Sequence, residues 1–171
     1  MQHDLAWLNS LPAEAAAQEL LQCCGSKRWA EQTAAGRPHP SLESLIARSN
    51  EVWWSLDRSD WLEAFRSHPK IGEKKAAEQV SAQSQQWSGQ EQAGMTNASQ
   101  QTANSLTALN HAYEEKFGYI FIICATGKTP EQMLSALHER LQHNPDAELP
   151  IAAAEQSKIT ELRLKKLLTS S

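Results

Sequence analysis

The sequence has no basic excess, no long apolar run and few cysteines. Lys and Arg number 16 against 20 Asp and Glu, a formal net charge of −4. Nucleic acid is therefore an unsuitable partner, since little positive charge is available to displace phosphate counterions. No apolar stretch reaches the roughly 18 residues of a bilayer span, so no membrane partner is expected. The three cysteines, Cys23, Cys24 and Cys124, make no C-x-x-C pair. An odd count suits a reducing compartment, and a cytoplasmic location is expected. Cys23 and Cys24 read as small buried hydrophobes on a helix, with reactive thiols as the alternative. His111, His138 and His143 have no H-E-x-x-H or other ligand spacing and read as surface or cap residues, so no metal is expected. No cofactor-binding motif is found. The opening MQHDLAWLNSLPAEAAAQ is acidic and broken by Pro12, unlike a signal or transit peptide, and the final TSS is not an SKL-type address.

Helix formers are plentiful. Apolar residues make up 40% of the 171 and charged ones 21%, a globular composition suited to a single domain over 1–171. A chain of this length buries about 70% of its unfolded surface and needs no staples. Ala and Gln are abundant and β-branched runs scarce, which favours helix. Ser10, Leu11 and Pro12 look like the entry to a helix running through Cys24 and closed by Gly25. Ser26 can cap a shorter helix ending by Gly36. Leu42, Leu45, Ile46, Val52 and Trp53 recur at helical spacing over 41–55. Ser59 can cap the next helix, which must stop before Pro69. A long helix is expected from Asn97 to Phe117, stopped by Gly118. The apolar run from Tyr119 to Ala125 has no partner strand, so it reads as a buried extended connector. Thr129, Pro130 and Gln132 form a capping box opening a helix to about Gln142. A last helix follows Pro145 towards Leu168, with Pro150 able to break or kink it. The expected fold is all-α, a single-domain bundle of roughly seven to nine helices with one buried connector.

The polar candidates each have a bland reading. His68-Pro69 sits at a helix end, where an imidazolium suits the helix dipole, and His39-Pro40 repeats the dipeptide. Ser88-Gly-Gln-Glu91 fits the S-x-x-E capping box. Alternatively, Ser88, Glu91 and Gln92 project from a helix N-terminus to read a urea-like ligand. Arg163, set among leucines in ITELRLKKLL, is either a snorkelling side chain or a buried carboxylate clamp, whereas Lys165 and Lys166 look solvated.

Taken together, HPKIGEKKA (68–76), WSGQEQAGM (87–95), LNHAYEEKFGYIFIICATGKT (109–129) and EQSKITELRLKKL (155–167) form a distinctive set. In this order they resemble 2-oxo-4-hydroxy-4-carboxy-5-ureidoimidazoline (OHCU) decarboxylases of urate and purine catabolism, over about 5–168. The resemblance implies an all-helical homodimer without metal or organic cofactor, which converts OHCU to (S)-allantoin and CO2. It places the catalytic histidine on His68, followed by Pro69. The substrate-reading segment falls on Ser88, Gly89, Gln90, Glu91 and Gln92, with Glu91 also counted as catalytic. Backbone contacts fall on Ile123, Cys124, Ala125, Thr126 and Gly127, and the arginine on Arg163.

Loss of CO2 needs an electron sink, which many decarboxylases take from a cofactor. In OHCU the carbon losing CO2 bears a hydroxyl and adjoins a C=N bond, so the substrate is its own sink. The protein would then supply orientation, proton traffic and a choice of face. Imidazole titrates near neutrality, which makes His68 the proton handler. Arg163 would contact ring or ureido oxygens, because gripping the departing carboxylate stabilises the ground state. Two rivals remain, a binding module that has lost turnover and a plain helical interaction domain. The first binds ligand without turning it over, and the second leaves Ser88 and Glu91 as a mere cap.

Overall fold

The computed structural model describes residues 3–70 and 81–168, apart from the Thr96 and Asn97 side chains. The 71–76 part of HPKIGEKKA and the C-terminal 169–171 lie outside the described residues. Among the described residues there are nine α-helices, one 3-10 helix and no strand, an all-α fold. The chain divides into two compact units, Met1–Ala64 with Ser157–Ser171, and Phe65–Gln156.

The first unit opens with α1 (Leu5–Ser10), which sequence patterning missed because six residues are too few for a periodic signal. Asp4 caps it by accepting the Trp7 N–H at 2.9 Å. α2 (Ala13–Leu21) follows with Pro12 as its N-cap, and it ends before Cys24. Pro12 lies just outside the helix, where its missing N–H costs nothing. α3 (Lys27–Ala35) is capped by Ser26 and stops at Gly36, and α4 (Leu42–Ser55) is capped by Ser41. Trp29 ties these two together, its indole N–H donating to the Ser49 carbonyl at 3.2 Å. α5 (Arg58–Phe65) begins two residues earlier than the Ser59 reading allows. Asp57 accepts the Asp60 N–H, and Ser59 donates its hydroxyl to that same carboxylate. Asp serves at such a position as well as Ser does, and its charge suits the positive helix end. Leu8, Leu20, Trp29 and Leu45 are fully buried.

The second unit contains α6 (Ala82–Glu91), a 3-10 helix (Ala93–Asn97), α7 (Gln100–Phe117) and α8 (Pro130–Leu141). The 3-10 turn and the Ser99 cap delay α7 by three residues relative to the sequence reading. Gly118, at φ 85°, stops α7 in the left-handed conformation that an L side chain resists. Thr129 and Gln132 form the expected capping box with Pro130 in the first turn. α9 (Pro145–Leu167) runs on through Pro150 and contributes residues to both units. Pro150 lies close enough to the helix start that only one early bond is lost.

The connector after Gly118 is neither helix nor strand, and Tyr119, Phe121, Ile122, Ile123, Cys124 and Ala125 are buried. Its polar backbone has to find partners away from water. Arg140 donates to the Ile122 carbonyl and grips Glu148, with N–O distances of 2.8 and 2.6 Å. Tyr113 donates its hydroxyl to the same carboxylate, and His143 Nδ1 lies 2.9 Å from its other oxygen. Burial pushes the Tyr113 hydroxyl well above its usual range, so it stays a donor. Half-buried His143 therefore joins the buried Arg140–Glu148 pair at its edge. The rings of Phe121 and Tyr113 lie 4.6 and 5.9 Å from the guanidinium carbon, and Phe117 packs on Tyr113.

Candidate active site

α6 positions the S-x-x-E segment. Ser81 accepts the Ser84 N–H at 3.1 Å and so provides the cap. Ser88 and Glu91 therefore occupy the last turn of α6, and both N-terminal readings of them fail. The motif misleads because residues three apart share a helix face wherever they fall along it. Ser84, Trp87, Ser88 and Glu91 form that buried face, while Gly89 and Gln90 point to solvent and Gln92 is half-buried. A buried carboxylate at a helix C-terminus sits at the negative end of the dipole. Stability alone does not favour Glu91 there.

His68 follows α5 in a turn, its backbone N–H donating to the Phe65 carbonyl at 3.2 Å. The ring reaches across to α9, where Nε2 lies 2.7 Å from Gln156 Oε1. His68 is 7% exposed and Gln156 not at all. Pro69 is buried beside it, and Lys70 pairs with Glu114 of α7 at 2.8 Å.

Two side chains hold the backbone of the connector. The Cys124 N–H donates to Glu155 Oε1 at 2.9 Å, and Lys128 Nζ donates to the Cys124 carbonyl at 2.9 Å. Burial raises the Cys124 thiol, with the Thr126 N–H and Lys128 opposing the rise and the carboxylates of Glu155 and Glu91 adding to it. Glu91 is thus electrostatically coupled to the connector that Glu155 holds. Ile123, Cys124 and Ala125 are buried, whereas Thr126 and Gly127 are exposed. Gly94, just after α6, lets the chain pass the connector closely. A Cβ there would sit 2.6 Å from the Lys128 carbonyl oxygen, so a side chain forces backbone apart.

His68, Pro69, Ser88, Glu91, Gln92 and the connector thus belong to the Phe65–Gln156 unit. Arg163 belongs to the other unit, where it is 2% exposed and donates to the Gln22 carbonyl at 3.4 Å. Its burial removes the snorkelling reading, whereas Lys165 and Lys166 are exposed as expected. Beside it the Cys24 thiol is pushed up to about 12, chiefly by burial, and is inert as a nucleophile. Cys23 and Cys24 are buried hydrophobes. Among the described residues no three His, Cys, Asp or Glu side chains converge as a metal site would. No helix there is long and apolar enough to cross a membrane.

Sequence reasoning did not single out Glu155 and Gln156, which bond to Cys124 and His68. Both stand in the EQSK opening of the last motif, but each finds its partner on a distant element.

The family model described as OHCU decarboxylase matches residues 9–165. The chain is 39% identical over 148 residues to the uric acid degradation bifunctional protein of Arabidopsis thaliana, covering 86% of this chain and 45% of that one. It thus spans less than half the length of that relative. It is 33% identical over 135 residues to the 2-oxo-4-hydroxy-4-carboxy-5-ureidoimidazoline decarboxylase of Amia calva, covering 78% and 76%. A crystal structure of OHCU decarboxylase in the presence of (S)-allantoin superposes with a TM-score of 0.76 at 37% identity, covering 90% of this chain and 99% of that one.

Proposed function

The chain belongs to the OHCU decarboxylase family, and on that premise we propose that it decarboxylates OHCU to (S)-allantoin, with His68 as the proton handler. The observation that carries this reading is a buried histidine, fixed by a side chain on another helix, in the unit that also buries Glu91. The matched residues 9–165 run through both units, which supports treating 1–171 as one functional domain.

The chemistry follows from the substrate. The C–CO2 bond breaks, and its electron pair forms a C=C bond as the adjoining C=N takes up electrons and its nitrogen gains a proton. His68 removes the hydroxyl proton, the resulting enol collapses to the ring carbonyl, and a proton arrives at the ureido-bearing carbon. One histidine at a fixed place delivers that proton to one face, which gives a single enantiomer. Glu91 accepts hydrogen bonds from ureido N–H groups, Ser88 and Gln92 supplement them, and the Ile123–Gly127 backbone lines the ring. Arg163 contacts ring or ureido oxygens. The substrate supplies the electron sink, so the reading requires no metal or organic cofactor. A homodimer and a cytoplasmic location complete it, the latter in keeping with three cysteines outside any disulfide.

A coupled assay tests the activity. Urate oxidase and hydroxyisourate hydrolase generate OHCU freshly, and its absorbance is followed together with allantoin circular dichroism. Enzyme-dependent decay with a single allantoin enantiomer is the expected outcome. Spontaneous-rate decay giving racemic allantoin overturns the proposal and leaves the binding-module reading in its place.

A further inference from the structure

Gln156 is fully buried on α9, in a stretch where Ala152 and Ala153 are also fully buried. Burying an amide among such neighbours is costly unless it is hydrogen-bonded, so packing alone would favour a methyl or a leucine there. Its Oε1 lies 2.7 Å from His68 Nε2. An amide oxygen only accepts, so the proton of a neutral ring sits on Nε2 and the lone pair on Nδ1.

We propose that Gln156 is a positioning residue that holds neutral His68 in the Nε2–H tautomer, leaving Nδ1 as the atom that takes the substrate's proton and returns it. This rests on the reading of His68 as the proton handler.

An amide suits this place better than a carboxylate. An anion beside an imidazole favours its charged form, and a ring already charged cannot act as a base. An amide oxygen directs the ring without that bias. Once Nδ1 has taken a proton, the Nε2–H···O bond becomes charge-assisted and stronger, which helps the step it prepared. The preceding residue, Glu155, does carry a carboxylate, but it is spent on the Cys124 N–H. Neighbouring helix residues point about 100° apart, so α9 sends its anion to the connector and its neutral acceptor to the histidine.

Nitrogen-15 correlation spectra of histidine-labelled protein read the tautomer directly, with His68 assigned by its loss in His68→Asn. The expected result is a lone-pair Nδ1 and a protonated Nε2 in the wild type. Gln156→Leu is expected to mix the tautomers and to lower kcat about ten- to hundredfold with KM little changed. Gln156→Glu, which still accepts from Nε2, is expected to keep that tautomer and restore most of kcat, with the acid limb of the pH–kcat profile moved up by about one unit. A purely structural glutamine would move Tm but neither the tautomer nor that limb. A wild-type ring protonated on Nδ1 overturns the proposal, and that spectrum needs no variant of Gln156 to fold. Unchanged kcat in Gln156→Leu also overturns it. If His68→Asn instead keeps full kcat, the proton-handling reading itself falls.

Discussion

The chain contains the dipeptide His-Pro twice, and the two copies have opposite uses. His39 and His68 are both buried, at 4% and 7% exposure, and each ring nitrogen meets a carbonyl oxygen. The acceptors differ in origin. His39 Nε2 lies 3.1 Å from the Thr33 carbonyl, six residues away, in a loop that α3 already dictates. Asn9 closes that loop, accepting the His39 N–H and donating to its carbonyl, both at 3.0 Å. His68 is held by a side chain 88 residues away. A main-chain acceptor comes with any sequence that builds the loop, whereas a buried glutamine has to be chosen. A histidine held mainly by its own loop serves the fold, and one held by a remote polar side chain is free to serve chemistry.

The comparison breaks most sharply at His68. Its replacement by Asn is expected to cost 10²–10⁴-fold in kcat, the range for a general acid–base group, with Tm close to wild type. His68→Asn retaining more than about a fifth of normal kcat would place both histidines in the same structural class.

Glu91 gives the next largest effect. Glu91→Gln turns an acceptor towards ureido N–H groups into a donor, leaving two donors face to face. A loss of roughly tenfold to several-hundredfold in kcat/KM is expected. Tm should not fall, because the change removes a buried negative charge from the unfavourable end of α6. Normal turnover would remove Glu91 from the site. A lowered Tm would show that its carboxylate holds the fold.

How much of this was legible in the sequence depends on how far each signal reaches. Caps at Ser26 and Thr129 and the stop at Gly118 are contained within four or five residues, so the pattern found them. The connector announced itself as one apolar run without a partner strand. Ser88 misled because S-x-x-E is equally compatible with the last turn of a helix, and only Ser81 decides which end it marks. Gln156, Glu155 and the Arg140–Glu148 pair stayed invisible. Their meaning lies in partners on other elements, and no local pattern marks an amide or an arginine as buried. The resemblance named candidate site residues, but it did not show what orients them.

The smallest expected effect sharpens the comparison from the other side. His39→Gln keeps a donor for the Thr33 carbonyl but removes ring packing, so about 1 kcal/mol of stability should be lost with kcat intact. That corresponds to a few degrees in Tm for a chain of this size. Its pH dependence is more diagnostic. Burial lowers the His39 imidazole below its ordinary value of 6.5, the Thr33 carbonyl opposes this, and Arg37 and Arg48 add to the lowering. The folded state then binds fewer protons at this site than the unfolded chain does between the lowered value and 6.5. Stability from this group is therefore complete above about 6.5 and declines as pH falls towards the folded value. His39→Gln has no ring to protonate and should lose this part of the acid sensitivity. Urea unfolding of both proteins across that range should show the gap between them narrowing as the solution is acidified. A gap constant with pH would mean that His39 titrates alike in both states, and that its burial does not set its protonation.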